Sequence, residues 1–372
     1  MKSVGIICEY NPFHNGHIHH LNEVKKLYKD YTIILIMSGN FMQRGEISII
    51  NKWDKTEIAL AHGIDLVIEL PFIFSTQSAD MFGFGAVQLL NYLNVEYLIF
   101  GSETNNIETL KNIVKTQKED KYNELVKKYL DQGYNYPTSM SKALTKYNFK
   151  HIDSPNDLLG ISYVKAIDNL NSNIIPISIK RTNDYHKLDK SDITSASSIR
   201  KLIKENKDIS NYIPKETLNK ITINEDHYFE LLKYKIITSK DLSIYQTVDE
   251  GLNTRIKKYI INSNNLEELI TKIKTKRYTY NKISRALTHI LCDFTKEEAL
   301  TYKKNEYIRI LGFNNNGRKY LSKIKKDINI PIITKYKDTD SKILDIEIKT
   351  GQVYNCILNK EINEYKKSVI IK

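Results

Sequence analysis

An α/β chain is what these 372 residues predict: a doubly wound parallel sheet followed by a mainly helical C-terminal part. Three observations carry that expectation. Short apolar runs of strand length alternate with longer amphipathic stretches over the first half, the β-α-β order that gives parallel strands with right-handed crossovers. From about residue 218 onward this alternation stops and helical patterns dominate. Hydrophobic residues make up 41% of the chain, ample for a buried core.

The elements follow in order. Residues 4–10 (VGIICEY) read as a buried parallel strand, and a helix is expected over 16–29. A second strand, 31–37 (YTIILIM), ends at Ser38-Gly39-Asn40. A helix over 52–62 precedes a third strand, 65–70 (DLVIEL), closed by Pro71. The pattern over 78–93 is helical, and a fourth strand, 95–100 (VEYLIF), leads into Gly101-Ser102. Helices then fill about 106–131, 138–148 and 156–170. A fifth strand over 174–180 precedes a short helix over 197–205. This is a Rossmann-like arrangement, and the expected domain boundary falls near Pro214, dividing 1–214 from 215–372.

Composition narrows the function. No apolar run approaches the ~20 residues of a spanning helix, so no membrane partner is expected. The first segment lacks a long apolar region and a small-residue cleavage site. Cys8, Cys292 and Cys356 are far apart and form no CxxC pair. They suit a reduced, cytoplasmic setting and argue against a disulfide scaffold or a zinc site.

Charge is unevenly spread. Residues 1–150 hold 16 basic and 16 acidic residues, and 151–250 hold 14 and 15. Residues 251–326 hold 18 and 6, so the chain's net +12 is concentrated in 76 residues. A basic block of this kind is the electrostatic footprint of a polyanion such as RNA. Within it, Lys274, Lys276 and Arg277 interleave with Tyr278 and Tyr280, a pattern suited to phosphate contact and base stacking, with Arg255, Lys257, Lys258 and Arg285 nearby.

The candidate chemistry sits after the strands. His14-Asn15-Gly16-His17 follows the first strand directly. The two histidines are three apart, so they share one face of a helix start whose free N–H groups suit phosphate. Two imidazoles there can stabilise charge developing on an α-phosphate. Four histidines within seven residues also raise a metal site, but no Cys or paired carboxylate lies near them in the sequence. The loop 38–45 after the second strand, with Asn40, Gln43 and Arg44, is placed to hold a carboxylate or a base. Gly101, Asn156, Arg181 and the segment Ser195, Ser197, Ser198, Arg200 follow the later strands, the last a Ser-rich helix start suited to pyrophosphate. Cys8 reads as a buried small hydrophobe, and no GxSxG or Walker A motif is present.

HxGH after the first strand, with a Ser-rich helix start ending in Ile-Arg after the fifth, resembles the nucleotidyltransferase superfamily. More closely, the chain resembles the tRNA(Met) cytidine acetate ligase family. The segments that carry this are GIICEYNPFHNGH (5–17), SGNFMQRGE (38–46), DLVIELP (65–71), FGSE (100–103), SPNDLLGISY (154–163), IKR (179–181), SASSIR (195–200) and KTKRYTY (274–280). They span most of the chain in order. The resemblance implies a nucleotidyltransferase-type ATP-binding domain over 1–214 and a tRNA-binding domain over 215–372. It implies that acetate and ATP give acetyl-adenylate and pyrophosphate, and that the acetyl group passes to the exocyclic amine of the wobble cytidine of elongator tRNA(Met).

By the same resemblance, ATP is contacted by Ile7, Cys8, Glu9, Tyr10, Asn11, Pro12, Phe13, His14, Asn15, Gly16, His17, Ile18, His19 and His20, and by Gly101, Asn156 and Arg181. His14 and His17 are the expected catalytic residues, magnesium is expected with the nucleotide, and no resident metal site is expected. Thr194 and Ala196 depart from the superfamily's I-S-S-T-x-I-R pattern, and Asp157 stands where a second Asn is expected. Two other readings are open. A nucleotidyltransferase acting on a small cofactor precursor needs no basic platform, and an RNA-binding protein without activity needs no intact HxGH.

Overall fold

The computed structural model describes residues 1–149, 154–181, 194–222, 224–249, 251–336 and 341–372. Five strands run parallel: β1 (Ser3–Cys8), β2 (Thr32–Ser38), β3 (Leu66–Leu70), β4 (Tyr97–Ser102) and β5 (Ile175–Lys180). Their spatial order is β5-β4-β1-β2-β3. The chain therefore winds one way from β1 to β3, then returns to the other side of β1. The switch between β1 and β4 opens a crevice at the carboxyl ends of the strands, where sheets of this type bind ligands.

All five expected strands are present, with ends shifted by one or two residues. β1 stops at Cys8, and Tyr10 beyond it takes a left-handed backbone at φ 50°. The one helix expected over 106–131 is two, Ile107–Thr116 and Asp120–Asp131. Alternate side chains of the central strands enter different cores. Ile7, Ile34 and Ile36 face one, and Val4, Ile6, Ile33, Leu35 and Met37 face the other. This is the period-two pattern of a sheet covered on both faces, and each side chain so buried contributes about 1.5–3 kcal/mol.

The sheet continues past Pro214. β6 (Ile308–Phe313) pairs antiparallel with β3, and β7 (Ile332–Ile333) and β8 (Ile370–Ile371) both pair with β6. The larger core joins Ile34 and Leu70 to Leu287 and Tyr354. Residues 215–372 are mainly helical, as expected, but they share sheet and core with 1–214, so the division at 214 does not separate two cores. The sequence hides β6 because Arg309 interrupts its apolar run. No helix among the described residues is long and apolar enough to cross a membrane.

Arg309 is tolerated because it joins a buried ionic cluster. Lys52 Nζ lies 2.8 Å from Glu69, 3.1 Å from Glu364 and 3.5 Å from Glu347. The Arg309 guanidinium lies 3.3 Å from Glu69 and 3.0 Å from Glu364. All five residues are at most 4% exposed. Two cations thus face three carboxyl groups. Burial, and then the charge of Glu69, push Glu347 well above the ordinary carboxylate range, so Glu347 holds a proton and the cluster is neutral.

The folded chain keeps this proton where the unfolded chain releases it. The contribution of Glu347 to stability therefore falls as pH rises from about 4.5 towards about 8. Above about pH 7, where histidines no longer take up protons on unfolding, buried Lys55, lowered to about 7, acts with the opposite sign in both proteins. Thermal melting should therefore show stability changing less favourably with rising pH in the wild type than in Glu347→Gln, the difference between the two profiles being the Glu347 proton. Lys52→Met, which leaves one carboxylate charge uncompensated beside Arg309, should cost about 3–5 kcal/mol. A Glu347→Gln protein with the wild-type pH profile would place the proton elsewhere.

Candidate active site

The loop after β1 is held by its own apolar residues. Tyr10 and Phe13 are 1% exposed or less, with ring centroids 4.8 Å apart. The Asn11–Pro12 peptide is cis. Asn11 accepts from the Ile49 N–H at 2.9 Å, fixing the turn against the loop after β2. His14 then caps the helix Asn15–Leu27. Its Nδ1 accepts from the Gly16 N–H at 3.0 Å, while its own N–H donates to His17 Nδ1 at 3.3 Å. The two rings lie 3.9 Å apart, and His17 packs edge-on to Tyr10.

This reciprocal capping assigns the tautomer. Both Nδ1 atoms accept, so in the neutral rings both protons sit on Nε2, as two donors side by side. Burial, then the charges of Arg181 and Arg200, lowers His14 to about 4. Burial and the neighbouring histidines hold His17 well below its usual value, and His20 is lowered to about 4 by burial and Arg181. At neutral pH the site presents uncharged imidazoles on a helix start with no acidic residue in its first turn.

Arg181 faces them from the other side of the crevice. Its Nη1 donates to Asn156 Oδ1 at 3.0 Å, and Asn156 Nδ2 donates to Glu103 at 2.5 Å. A Cβ on Gly101 would meet Arg181 Cγ at 2.9 Å, so only glycine lets the arginine cross β4. Gly101, Asn156 and Arg181, far apart in sequence, thus form one unit whose charge reaches His14, His17 and His20. Asp157, 1% exposed, accepts from Ser102 Oγ at 2.5 Å, from the Thr104 N–H at 3.2 Å and from Ser154 at 2.7 Å. It pins the end of β4 instead of reading a base.

The remaining expected contacts divide. Ile7 belongs to β1 and faces the larger core, while Tyr10, Pro12 and Phe13 build the loop from within. Cys8 is partly buried, and burial pushes its thiol to about 12, far from a nucleophile's range. Glu9 accepts from the Gln43 N–H at 2.6 Å. Asn15 Nδ2 donates to the Asn211 carbonyl at 2.9 Å, and Ile18 lies on the helix beyond it. His19 is exposed. Ser195 caps its helix by accepting from the Ser198 N–H at 3.1 Å. Arg200 donates to the Asn11 carbonyl at 2.7 Å and to Glu46 at 2.5 Å, so it braces two loops. One functional residue escapes sequence reasoning. Lys55, fully buried, donates to the carbonyls of Glu9, Ser38 and Gly39 at 3.0, 2.8 and 2.7 Å and ties the ends of β1 and β2 together. On an amphipathic helix it reads as a solvated lysine.

The fold also divides the basic stretch. Lys274, Lys276 and Arg277 are exposed on the loop before the helix Tyr280–Leu291. Tyr278 is 6% exposed and Tyr280 donates to Glu267 at 2.9 Å, so these rings pack inward and offer no stacking face. Arg255 is spent on the carbonyls of Lys272 and Ile273, and Lys257 on that of Lys240. Arg318, Lys319, Lys323, Lys325 and Lys326 are exposed around the helix Asn315–Ile324. Its Tyr320 hydroxyl bonds Ser3 Oγ at 2.9 Å, which places these five cations at the amino ends of the strands, the end of the sheet away from the site.

A doubly wound sheet with a histidine-capped helix at its switch point and an arginine across the crevice defines the class of nucleotide-binding transferases. The family model described as HIGH nucleotidyl transferase matches residues 1–368. The tRNA(Met) cytidine acetate ligase of Clostridium acetobutylicum is 39% identical over the full length of both chains. That of Geobacillus sp. strain WCH70 is 42% identical over 90% of this chain and 89% of its own. Among solved structures, Thermotoga maritima TmcAL bound with alpha-thio ATP superposes with a TM-score of 0.89, and its apo form with 0.91. Both are 29% identical and cover 100% of this chain and 99% of their own. The chain belongs to the tRNA(Met) cytidine acetate ligase family of the HIGH nucleotidyl transferases.

With both Nδ1 atoms committed to the cap, the rings would meet a polyphosphate as neutral Nε2–H donors. The doubly substituted His14→Asn, His17→Asn protein, which keeps a capping side chain but loses both ring donors, should bind ATP about tenfold or more weakly in a calorimetric titration. An unchanged affinity would mean that the rings do not face phosphate.

Proposed function

We propose that this chain is an ATP-dependent ligase that activates acetate as acetyl-adenylate and transfers the acetyl group to the wobble cytidine of elongator tRNA(Met). The convergence of His14, His17 and Arg181 on the β1–β4 switch point carries the reading, supported by the full-length likeness to ligases of that name. In the first step an acetate oxygen attacks the α-phosphorus and the bond to the β-phosphate oxygen breaks, releasing pyrophosphate. The His14 and His17 Nε2–H groups donate to α-phosphate oxygens as negative charge builds there, and neutral donors do this without first losing a proton. Arg181, oriented by Asn156, supplies positive charge from the opposite wall. In the second step the cytidine amine attacks the acyl carbon, AMP leaves, and the amine gives up a proton. The acyl-adenylate is already activated, and a base in an anticodon loop leaves its stack at less cost than one in a duplex.

Magnesium has no cage of three His, Cys, Asp or Glu among the described residues. Glu46 and Glu103 near the site are engaged by Arg200 and Asn156. A magnesium ion arriving with the nucleotide would be held by phosphate and water oxygens in place of these side chains, and would supply charge neutralisation for the pyrophosphate. The tRNA approaches over the carboxyl ends of the strands, where Lys274 and Lys276 are exposed, and the reaction belongs in the cytoplasm with its substrate.

The test is acetate-dependent exchange of pyrophosphate into ATP without tRNA, followed by acetyl transfer to tRNA(Met). Both should occur, and exchange that ignores acetate would sink the reading. Changing Lys274 and Lys276 together to Ala should weaken tRNA binding and flatten its salt dependence by up to ~2 units of slope, one per phosphate contact. Loss of exchange together with transfer would mean that this loop supports the nucleotide site instead.

A further inference from the structure

Among the described residues, four of the six buried or half-buried arginines are engaged. Arg309 meets Glu69 and Glu364, Arg200 meets Glu46, Arg181 meets Asn156, and Arg255 caps the carbonyls of Lys272 and Ile273. Arg44 and Arg285 differ. Each is half-buried, and among the described residues neither guanidinium has a carboxylate or a hydrogen-bond acceptor. A cation withdrawn from water without a counter-charge is costly. Burial alone pushes Arg285 down to about 10, with no neighbouring carboxylate to offset it.

The two residues leave from backbones in contact. Gly45, at φ +82°, is packed so closely on the helix Tyr280–Leu291 that a Cβ there would meet the Arg285 nitrogen at 2.4 Å. Thr288 on the same helix donates to the Gly45 carbonyl at 2.5 Å. Arg44, one residue earlier, and Arg285 are therefore fixed on either side of one locked contact. That contact borders the site, since the Gln43 N–H donates to Glu9 at the end of β1. It does so from the β2 side of β1, opposite the wall that holds Arg181. The exposed Lys274 and Lys276 lie on the loop that enters the same helix, so positive charge runs from the surface to these arginines.

We propose, on the basis of the function above, that Arg44 and Arg285 form a clamp for backbone phosphates of the RNA next to the reacting cytidine. The nucleotide occupies the β4 wall and the RNA enters over β2, so the cytidine amine reaches the acyl-adenylate from the side opposite Arg181. A guanidinium pair suits a phosphodiester because each fork can bond two of its oxygens.

The experiment uses the full chain with Arg285→Met, Arg44→Met and Arg285→Lys. Methionine keeps an apolar stem against the neighbouring helix. Acetyl transfer is measured against tRNA(Met) transcript concentration and salt, and pyrophosphate exchange against acetate without tRNA. Each methionine variant should raise the KM for tRNA about tenfold or more and lower the salt slope by about one unit. Arg285→Lys keeps the charge but not the fork, so it should retain the slope and lose part of the affinity. A raised KM for acetate with an unchanged KM for tRNA would overturn the clamp and make this a carboxylate site. An unchanged salt slope in both methionine variants, or parallel loss of both half-reactions with a lowered melting temperature, would overturn it as well. If the wild type itself fails to transfer acetyl to tRNA, the proposed function fails; if the wild type works and the variants match it, only the clamp fails.

Discussion

The cluster of Lys52, Glu69, Arg309, Glu347 and Glu364 is the constraint on which the rest of this molecule depends. It draws one residue from the helix after β2, one from β3, one from β6, one from the helix Lys342–Leu358 and one from the C-terminal segment. Buried charges of this kind need not add net stability, because desolvation offsets much of their attraction. What they do here is tie together five segments far apart in sequence, whose charges balance in this packing. The cluster also reaches outward. The Lys52 N–H donates to Asn40 at 3.0 Å, the Phe72 N–H to Glu347 at 2.7 Å and the Trp53 indole to Glu364 at 3.1 Å. The loop after β2 is thereby held to the C-terminal half of the chain.

This explains why the basic helices and the nucleotide crevice stand in a fixed relation. With β6 paired to β3, the helix Tyr280–Leu291 is brought onto Gly45, and the loop it presses on is the one that touches Glu9 at the end of β1. On the reading proposed above, an acceptor bound on the helical half would meet the nucleotide across one shared sheet, with β4 and β5 as the nucleotide wall and β2 as the acceptor wall.

The histidine pair shows how local structure and chemistry share atoms. Capping the helix uses the Nδ1 atoms, which leaves the Nε2–H atoms for the substrate and removes any ambiguity over the tautomer. Desolvation keeps both rings neutral. On the proposed reading, these buried Nε2–H groups would be the stronger donors to an anion for being withdrawn from water.

By itself the amino-acid order determined the five parallel strands, the histidine motif at the end of the first of them, and the confinement of positive charge to 251–326. These depend on local periodicity and on neighbours a few residues apart. Gly101, Asn156 and Arg181 were legible one by one from their places after the later strands, but not as one unit, since nothing local ties a glycine to an arginine 80 positions on. Tertiary structure alone decided that β6 extends the sheet, because a strand carrying Arg309 is acceptable only where Glu69 and Glu364 meet it. It alone turned Tyr278 inward, set Lys55 among three carbonyls, sent five cations of the basic stretch to the far end of the sheet and left Arg44 and Arg285 without partners among the described residues. A charged side chain carries no local sign of whether water, a carboxylate or a substrate will meet it; that is fixed by which distant segments fold against it.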